Sequence, residues 1–288
     1  MIAVFKREFG AYFKGIPGYL FTAFLVLFTG VYVMVNNLSG FTASFEYSLK
    51  SVSFIYMVAV PVLTMRSLAE EKKQKTDQLL YALPLRMSSV VLGKYLAMVA
   101  VLLVPCVIIG GYPLILTRWG NVNLLMAYNG LVSFFLLGAA LLSVGLFISS
   151  MTENQVASAV ITLLVMLVMY LQSDLAAYMS PLSRASFIAL AISVALVFFL
   201  IYLLSRSLTV CAGLGTLGIL ALYLYYHFEP LPFYGGFANV LRKLGLFDRF
   251  YAQLNGVFDA GHVVYLLSVI VLFLFLTVQS MQKRRWAE

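Results

Sequence analysis

Residues 124–149 read LLMAYNGLVSFFLLGAALLSVGLFIS, with no charged side chain at any position. A helix needs about 20 apolar residues to cross the hydrocarbon of a bilayer, and this stretch is longer than that. Runs of the same character lie at 18–36, 51–65, 90–117, 156–173, 185–204, 208–226 and 262–280. The run at 51–65 is short at its apolar core. Those at 185–204 and 208–226 are separated only by the sequence around Arg206, so 185–226 is expected to form a tight helical hairpin. The chain therefore reads as all-α, a single polytopic transmembrane domain over 1–288 with about eight spans.

Composition leads to the same place. Hydrophobic residues make up 62% of the 288 positions and charged ones 10%, where a soluble domain carries about 25% charged residues. A soluble core of this size could not hide so much apolar surface, so lipid has to be the solvent. A net charge of +8 in a soluble protein would suggest nucleic acid, but the basic residues here sit between hydrophobic runs and form no basic stripe. They fix orientation instead. With the N-terminus in the cytoplasm, 13 of the 19 Lys and Arg fall inside, and Lys50, Arg118, Arg184, Arg242, Lys243 and Arg249 fall outside. An even number of spans returns Lys283, Arg284 and Arg285 to the cytoplasm, so both termini are expected there.

Before the first span, residues 1–16 place Ile2, Phe5, Phe9, Phe13 and Ile16 three or four apart, with Lys6, Arg7, Glu8 and Lys14 elsewhere around the turn. That pattern predicts an amphipathic helix lying in the membrane interface. The run after it is longer than a signal-peptide core and is followed by no clear cleavage site, so it reads as an uncleaved anchor.

Two polar intervals remain. In 66–89, Glu70, Glu71, Lys72, Lys73, Lys75 and Asp77 crowd together ahead of Leu79, Leu80 and Leu83. Glu71 to Lys75 and Lys73 to Asp77 are both four apart, which predicts a solvated cytoplasmic helix ended by Pro84. The interval 227–259 carries Phe237, Val240, Leu241 and Leu244, then Phe247, Phe250, Tyr251 and Leu254. It predicts one or two external amphipathic helices lying on, or dipping into, the outer leaflet.

Several chemistries are excluded. No charge lies at mid-span, where ion and proton paths usually place one; Lys94, Asp174, Glu229 and His262 sit at the ends of runs, where long side chains snorkel to water. Gly110, Gly111 and Pro113, or Gly213, Gly215 and Gly218, would suit either the broken helices of a carrier or close helix packing, and packing is favoured. His227 and His262 are the only histidines, too few for a three-histidine metal site. Cys106 and Cys211 lie inside apolar runs. Gly93-Lys94 is followed by Tyr95 and lacks the earlier glycine of a phosphate loop. The chain thus offers no catalytic residue, cofactor site or metal site, and an ATP-driven role would need hydrolysis on another subunit.

The run Arg66-Ser-Leu-Ala-Glu70-Glu71-Lys-Lys-Gln-Lys75-Thr76-Asp77-Gln-Leu79-Leu80-Tyr-Ala-Leu-Pro84, followed by Val91-Leu-Gly93-Lys94, resembles the first cytoplasmic loop of type-2 ABC transporter permeases. That pattern has acidic residues, a basic pair, Gly-Thr-x-Glu-Leu-Leu, a proline, and Gly-Lys entering the third span. Lys75 stands where the pattern has Gly, and Asp77 directly follows Thr76. Ser149 to Gln155 is similar to the turn between the family's fourth and fifth spans. Phe247 to Asp259, with Phe275 to Val278 and Arg284-Arg285-Trp286, is similar to the end of the gliding-motility-type branch.

The resemblance implies a permease subunit of a bacterial cytoplasmic-membrane exporter, paired with a second permease and with cytoplasmic ABC ATPase subunits that carry ATP and Mg. It implies six family spans, with 185–226 as an inserted hairpin. It also implies an ATPase-coupling loop built from Arg66, Glu70, Glu71, Lys75, Thr76, Asp77, Leu79, Leu80 and Pro84, and an elbow helix carrying Phe5, Lys6, Arg7, Phe9 and Phe13. A charge-free membrane interior suits an apolar or amphipathic substrate. A secondary carrier, or a membrane anchor or scaffold, is the alternative.

Overall fold

The structure is a computed structural model that describes residues 1–40, 42–75, 86–205, 208–229, 231–255 and 259–287, and every regular element among them is helical. Helix α1 (Ile2–Lys14) turns at Gly15 into α2 (Ile16–Val33), which ends in a π-helical stretch, Met34–Ser39. Then come α3 (Phe45–Val52), a 3-10 turn, α4 (Tyr56–Thr64) and α5 (Ala69–Lys73). They are followed by α6 (Met87–Ile109), α7 (Gly111–Leu116), α8 (Leu124–Met151), α9 (Gln155–Tyr178), α10 (Ser183–Ser205) and α11 (Leu208–Phe228). The chain ends with α12 (Gly236–Leu244), α13 (Leu246–Leu254) and α14 (Ala260–Ala287).

Among the described residues six helical segments are long and apolar enough to cross a membrane: Ile16–Ser39, Phe45–Lys73, Met87–Leu116, Leu124–Met151, Gln155–Tyr178 and Ala260–Lys283. The protein is a multi-pass membrane protein. The sequence suggested eight spans; 185–226 folds as a helical pair, α10 and α11, and the six spans are those found among the described residues alone. The segment read as short at 51–65 is longer in fact, because turns of helix on either side carry Glu46, Lys50, Arg66 and Glu70 into one continuous composite, Phe45–Lys73.

The chain divides into two compact units, Met1–Tyr170 with Arg249–Glu288, and Leu171–Asp248. In the first, α8 is the centre: 72% of its apolar window is buried, against 28% for Ile16–Ser39 and 22% for Ala260–Lys283. It touches α3, α4, α5, α6 and α14. Small residues make this possible. A methyl group at Gly138 would lie 2.8 Å from Leu102 and Tyr56, and one at Gly145 would lie 2.6 Å from Thr64 Oγ1. Lipid supplies no hydrophobic drive between helices, so such close approach, with its dispersion gain, is what holds spans together.

Buried tyrosines keep their hydroxyls satisfied on the same helix. Tyr56 stacks on Phe134 at 4.5 Å and donates to the Phe134 carbonyl oxygen at 3.1 Å, and Tyr95 donates to the Ala139 carbonyl oxygen at 3.1 Å. Of the glycines weighed as helix breaks, Gly110 is one. It separates α6 from α7, and Tyr128 Oη donates to its carbonyl oxygen at 3.2 Å. Gly213, Gly215 and Gly218 lie inside unbroken α11, where Gly215 and Gly218 face Phe198 and Val194 of α10 as packing positions.

In the second unit, α12 lies against α10, Phe187 stacks on Tyr226 at 4.9 Å, and Gln172 Nε2 donates to the Leu241 carbonyl oxygen at 2.8 Å. Gly235, at φ 63, supplies the left-handed turn ahead of α12, and its N–H donates to the Pro181 carbonyl oxygen. The amphipathic interval 227–259 gives two helices, as its pattern predicts, but they differ. None of α12 is buried, whereas Phe250 and Leu254 of α13 are core residues of the first unit, beside Phe134 and Gly130.

Candidate functional site

One end of the first unit gathers most of the polar residues singled out above. Helix α1 presents Val4, Glu8 and Tyr12, each four residues apart, to the rest of the unit, and Val4 and Tyr12 are buried. Its apolar stripe points elsewhere: Phe5, Phe9 and Phe13 are half-buried and, with exposed Tyr19 of α2, form a ladder with ring centroids 5.8, 5.0 and 5.4 Å apart. The elbow residues Phe5, Phe9 and Phe13 are thus turned away from the docked face. The face that docks on protein is the one carrying Glu8. Gly93 allows the docking, because a methyl group there would sit 3.0 Å from Val4 Cβ and 3.1 Å from the Met1 carbonyl oxygen.

Beside Gly93, Lys94 has a side chain only 1% exposed. Its Nζ donates to Glu71 Oε1 at 2.8 Å, to the Ser67 carbonyl oxygen at 2.8 Å and to Glu8 Oε1 at 3.2 Å. Arg7 closes the cluster from outside, at 2.6 Å from Glu8 and 3.0 Å from Glu71. The expected snorkelling of Lys94 is therefore corrected. Two carboxylates come to the ammonium, since a buried charge is tolerable only when it is paired and fully hydrogen-bonded. The hydrogen bond to Glu8 raises the Arg7 pKa, and burial raises that of Tyr12, whose hydroxyl donates to the Leu63 carbonyl oxygen.

The charged segment after α4 is anchored rather than freely solvated. Ser149 Oγ of α8 accepts the N–H groups of Leu68 and Ala69 at 3.2 and 3.1 Å, and Lys72 Nζ donates to the Ser150 carbonyl oxygen. Helix α5 ends at Lys73, and the expected stop at Pro84 lies outside the described residues. Lys75 adopts φ 55, a left-handed conformation that cannot continue an α-helix. Glu70 pairs with Arg66 at 2.9 Å, and Glu71 turns to Lys94 and Arg7. Lys6 is exposed on α1. Thr76, Asp77, Leu79, Leu80 and Pro84 lie outside the described residues, as does Arg206.

Of the expected site residues, then, Arg7 and Glu71 meet in one ionic junction, Arg66 and Glu70 flank it, and Lys75 marks its exit. Sequence reasoning missed that Glu8, Lys94, Lys72 and Ser149 hold it together. The available signal was a lysine set in an apolar run directly after a glycine, together with a glutamate on the otherwise unexplained Val4–Tyr12 face. The junction contains carboxylates, cations and hydroxyls but no nucleophile–base pair. Among the described residues no group of three or more His, Cys, Asp or Glu is placed to hold a metal ion. Compared with known proteins, the chain matches no protein-family model and no curated protein.

Proposed function

We propose that this chain is the membrane-spanning permease subunit of an ATP-driven ABC exporter, pairing with a second permease and moving an apolar or amphipathic substrate from a bacterial cytoplasm. The observation that carries this reading is the backbone at Lys75. The resemblance places a glycine there, and φ 55 is the conformation for which glycine is the usual residue. The same resemblance gives Gly93-Lys94 a definite task, since the glycine admits α1 and the lysine binds Glu71 from the preceding loop. The second matching segment, at Ser149 and Ser150, binds that loop as well.

The mechanism follows from the bracing. Helix α5 is tied to α8 by Ser149 and Ser150, to α6 by Lys94 and to α1 by Arg7, with Glu8 of α1 joined to it through Lys94. A push on the segment following Lys73 therefore moves the ends of these helices together rather than flexing a loop. The excess of basic residues orients this end toward the cytoplasm, where soluble ATPase subunits would dock and hydrolyse ATP.

The test is to purify the affinity-tagged chain from its native membrane in mild detergent, assay the eluate for ATP hydrolysis and identify its subunits. The expected result is a stoichiometric ATP-binding subunit, lost when exposed Lys73 and Lys75 are both changed to Glu while the yield of the chain is unaffected. A chain that elutes alone, without ATPase activity, refutes the proposal in favour of a secondary carrier or scaffold.

A further inference from the structure

A cavity of about 210 Å³ lies beside the ionic junction, lined by Glu8, Ala11, Tyr12, Gly15, Pro17, Arg66, Ser67 and Glu70. It is several times the roughly 30 Å³ occupied by a water molecule in the liquid. It also stands at a defined level, where the interfacial helix α1 turns into the first span and where the segment Phe45–Lys73 ends. That is the depth of lipid headgroups.

The groups around it share one polarity. Ser67 is 5% exposed, and its Oγ, beside the Tyr12 hydroxyl, keeps lone pairs free to accept from a donor in the cavity. Tyr12 spends its proton on the Leu63 carbonyl oxygen, which leaves the lone pairs of its hydroxyl to accept. Glu8 makes its contacts to Arg7 and Lys94 through Oε1; among the described residues Oε2 has none. The C-terminal turn of α1, the negative end of its dipole, forms the wall at Ala11, Tyr12 and Gly15. The single cation in the lining is Arg66, half-exposed and paired with Glu70.

Acceptors inside and a guanidinium beside them describe a ligand with a multiply donating cation at its tip and an anion just behind it. We infer that this cavity binds the headgroup of an aminophospholipid of the phosphatidylethanolamine type. Its primary ammonium donates to Glu8 Oε2, Ser67 Oγ and Tyr12 Oη, and its phosphate meets Arg66. The chemistry discriminates among lipids. A choline headgroup has no N–H to give to Ser67 or Glu8, and a phosphoglycerol headgroup brings no positive charge to the carboxylate. The inference needs only the membrane character of the chain and does not depend on coupling to an ATPase.

The test is native mass spectrometry of the full chain released from micelles holding equal amounts of palmitoyl-oleoyl phosphatidylethanolamine, phosphatidylglycerol and phosphatidylcholine. About tenfold more of the ethanolamine lipid than of either competitor is expected to be retained, corresponding to one charge-assisted hydrogen bond. Glu8→Gln and Ser67→Ala are each expected to bring retention close to that of the choline lipid. Glu8 also braces Lys94, so if Glu8→Gln does not yield a monodisperse protein, Ser67→Ala, which leaves every ion pair intact, decides alone. Equal retention of the three lipids overturns the inference, as does an undiminished preference in Ser67→Ala. Millimolar ethanolamine added as a soluble competitor separates the sources. Displacement of the lipid by the free amine at the concentration where phosphoethanolamine also acts would make the ligand a soluble amine and overturn the lipid assignment.

Discussion

Replacing Lys94 by Met keeps a long unbranched side chain, one atom shorter, and removes the ammonium, so it isolates what that charge and its three donors contribute. Three bonds disappear, at 2.8, 2.8 and 3.2 Å, and Glu8 and Glu71 lose the cation between them. Removing one partner of a buried ion pair costs about 3–5 kcal/mol, because the other charge is left uncompensated. Two features argue for the lower part of that range. Arg7 still contacts both carboxylates, and their side chains are 15% and 18% exposed. The expected loss is about 3 kcal/mol. At about 2–4 °C per kcal/mol for a chain of this order of size, the melting temperature should fall by roughly 6–12 °C. Cys106, buried on the same helix as Lys94, makes unfolding readable with a fluorogenic maleimide in detergent. The combination Glu71→Gln with Lys94→Met should be less destabilised than the sum of the single changes by about 1 kcal/mol or more, as expected of groups in contact. A Lys94→Met protein that melts with the wild type, or strictly additive effects, would show that the cluster is not an interacting unit.

Three further outcomes follow from other contacts. Lys75→Gly should stabilise the chain by about 0.5–1 kcal/mol, the left-handed strain of about 1–2 kcal/mol being partly offset by the greater freedom of glycine when unfolded, and a lower melting temperature would contradict this. Ser149→Ala orphans two buried N–H donors and should cost about 1–3 kcal/mol, with faster hydrogen exchange at Leu68 and Ala69 as its local signature; unchanged exchange there would refute the anchoring role. Gly145→Ala drives a methyl group into Thr64 and should cost about 1–3 kcal/mol by overpacking, a loss that pairing with Thr64→Ala should partly restore.

The helical class and most of the spans were legible because hydrophobic runs of membrane-crossing length have few other physical solutions. The stretch 124–149 predicted α8 nearly to its ends. The pairing of charges was not legible, for a physical reason: Glu8, Glu71 and Lys94 belong to three segments, and neighbour rules along one helix connect Glu71 to Lys75 instead. Tertiary geometry overrode that local pairing once α1 docked over Gly93. The amphipathic pattern of α1 was legible from its phenylalanine spacing, but the face that docks on protein, Val4, Glu8 and Tyr12, was not. At α13 the amphipathic pattern was read as interfacial, although Phe250 had a place beside Phe134 in the core. Periodicity gives a face but not its partner.

The junction also imposes an order on how the protein is made. Glu8 and Lys94 lie 86 residues apart, so their bond cannot close until the chain has been synthesised through α6. Until then α1 can rest only on α2 and on the segment Phe45–Lys73, through contacts such as Tyr12 Oη to the Leu63 carbonyl oxygen and Arg7 to Glu71. Lys94 then brings a charge near the start of an apolar segment to Glu8 and Glu71, which precede it in the chain. Docking of α1 is thus completed only when α6 is in place, and a chain stalled before that point would lack the bridge that ties α1 to α6.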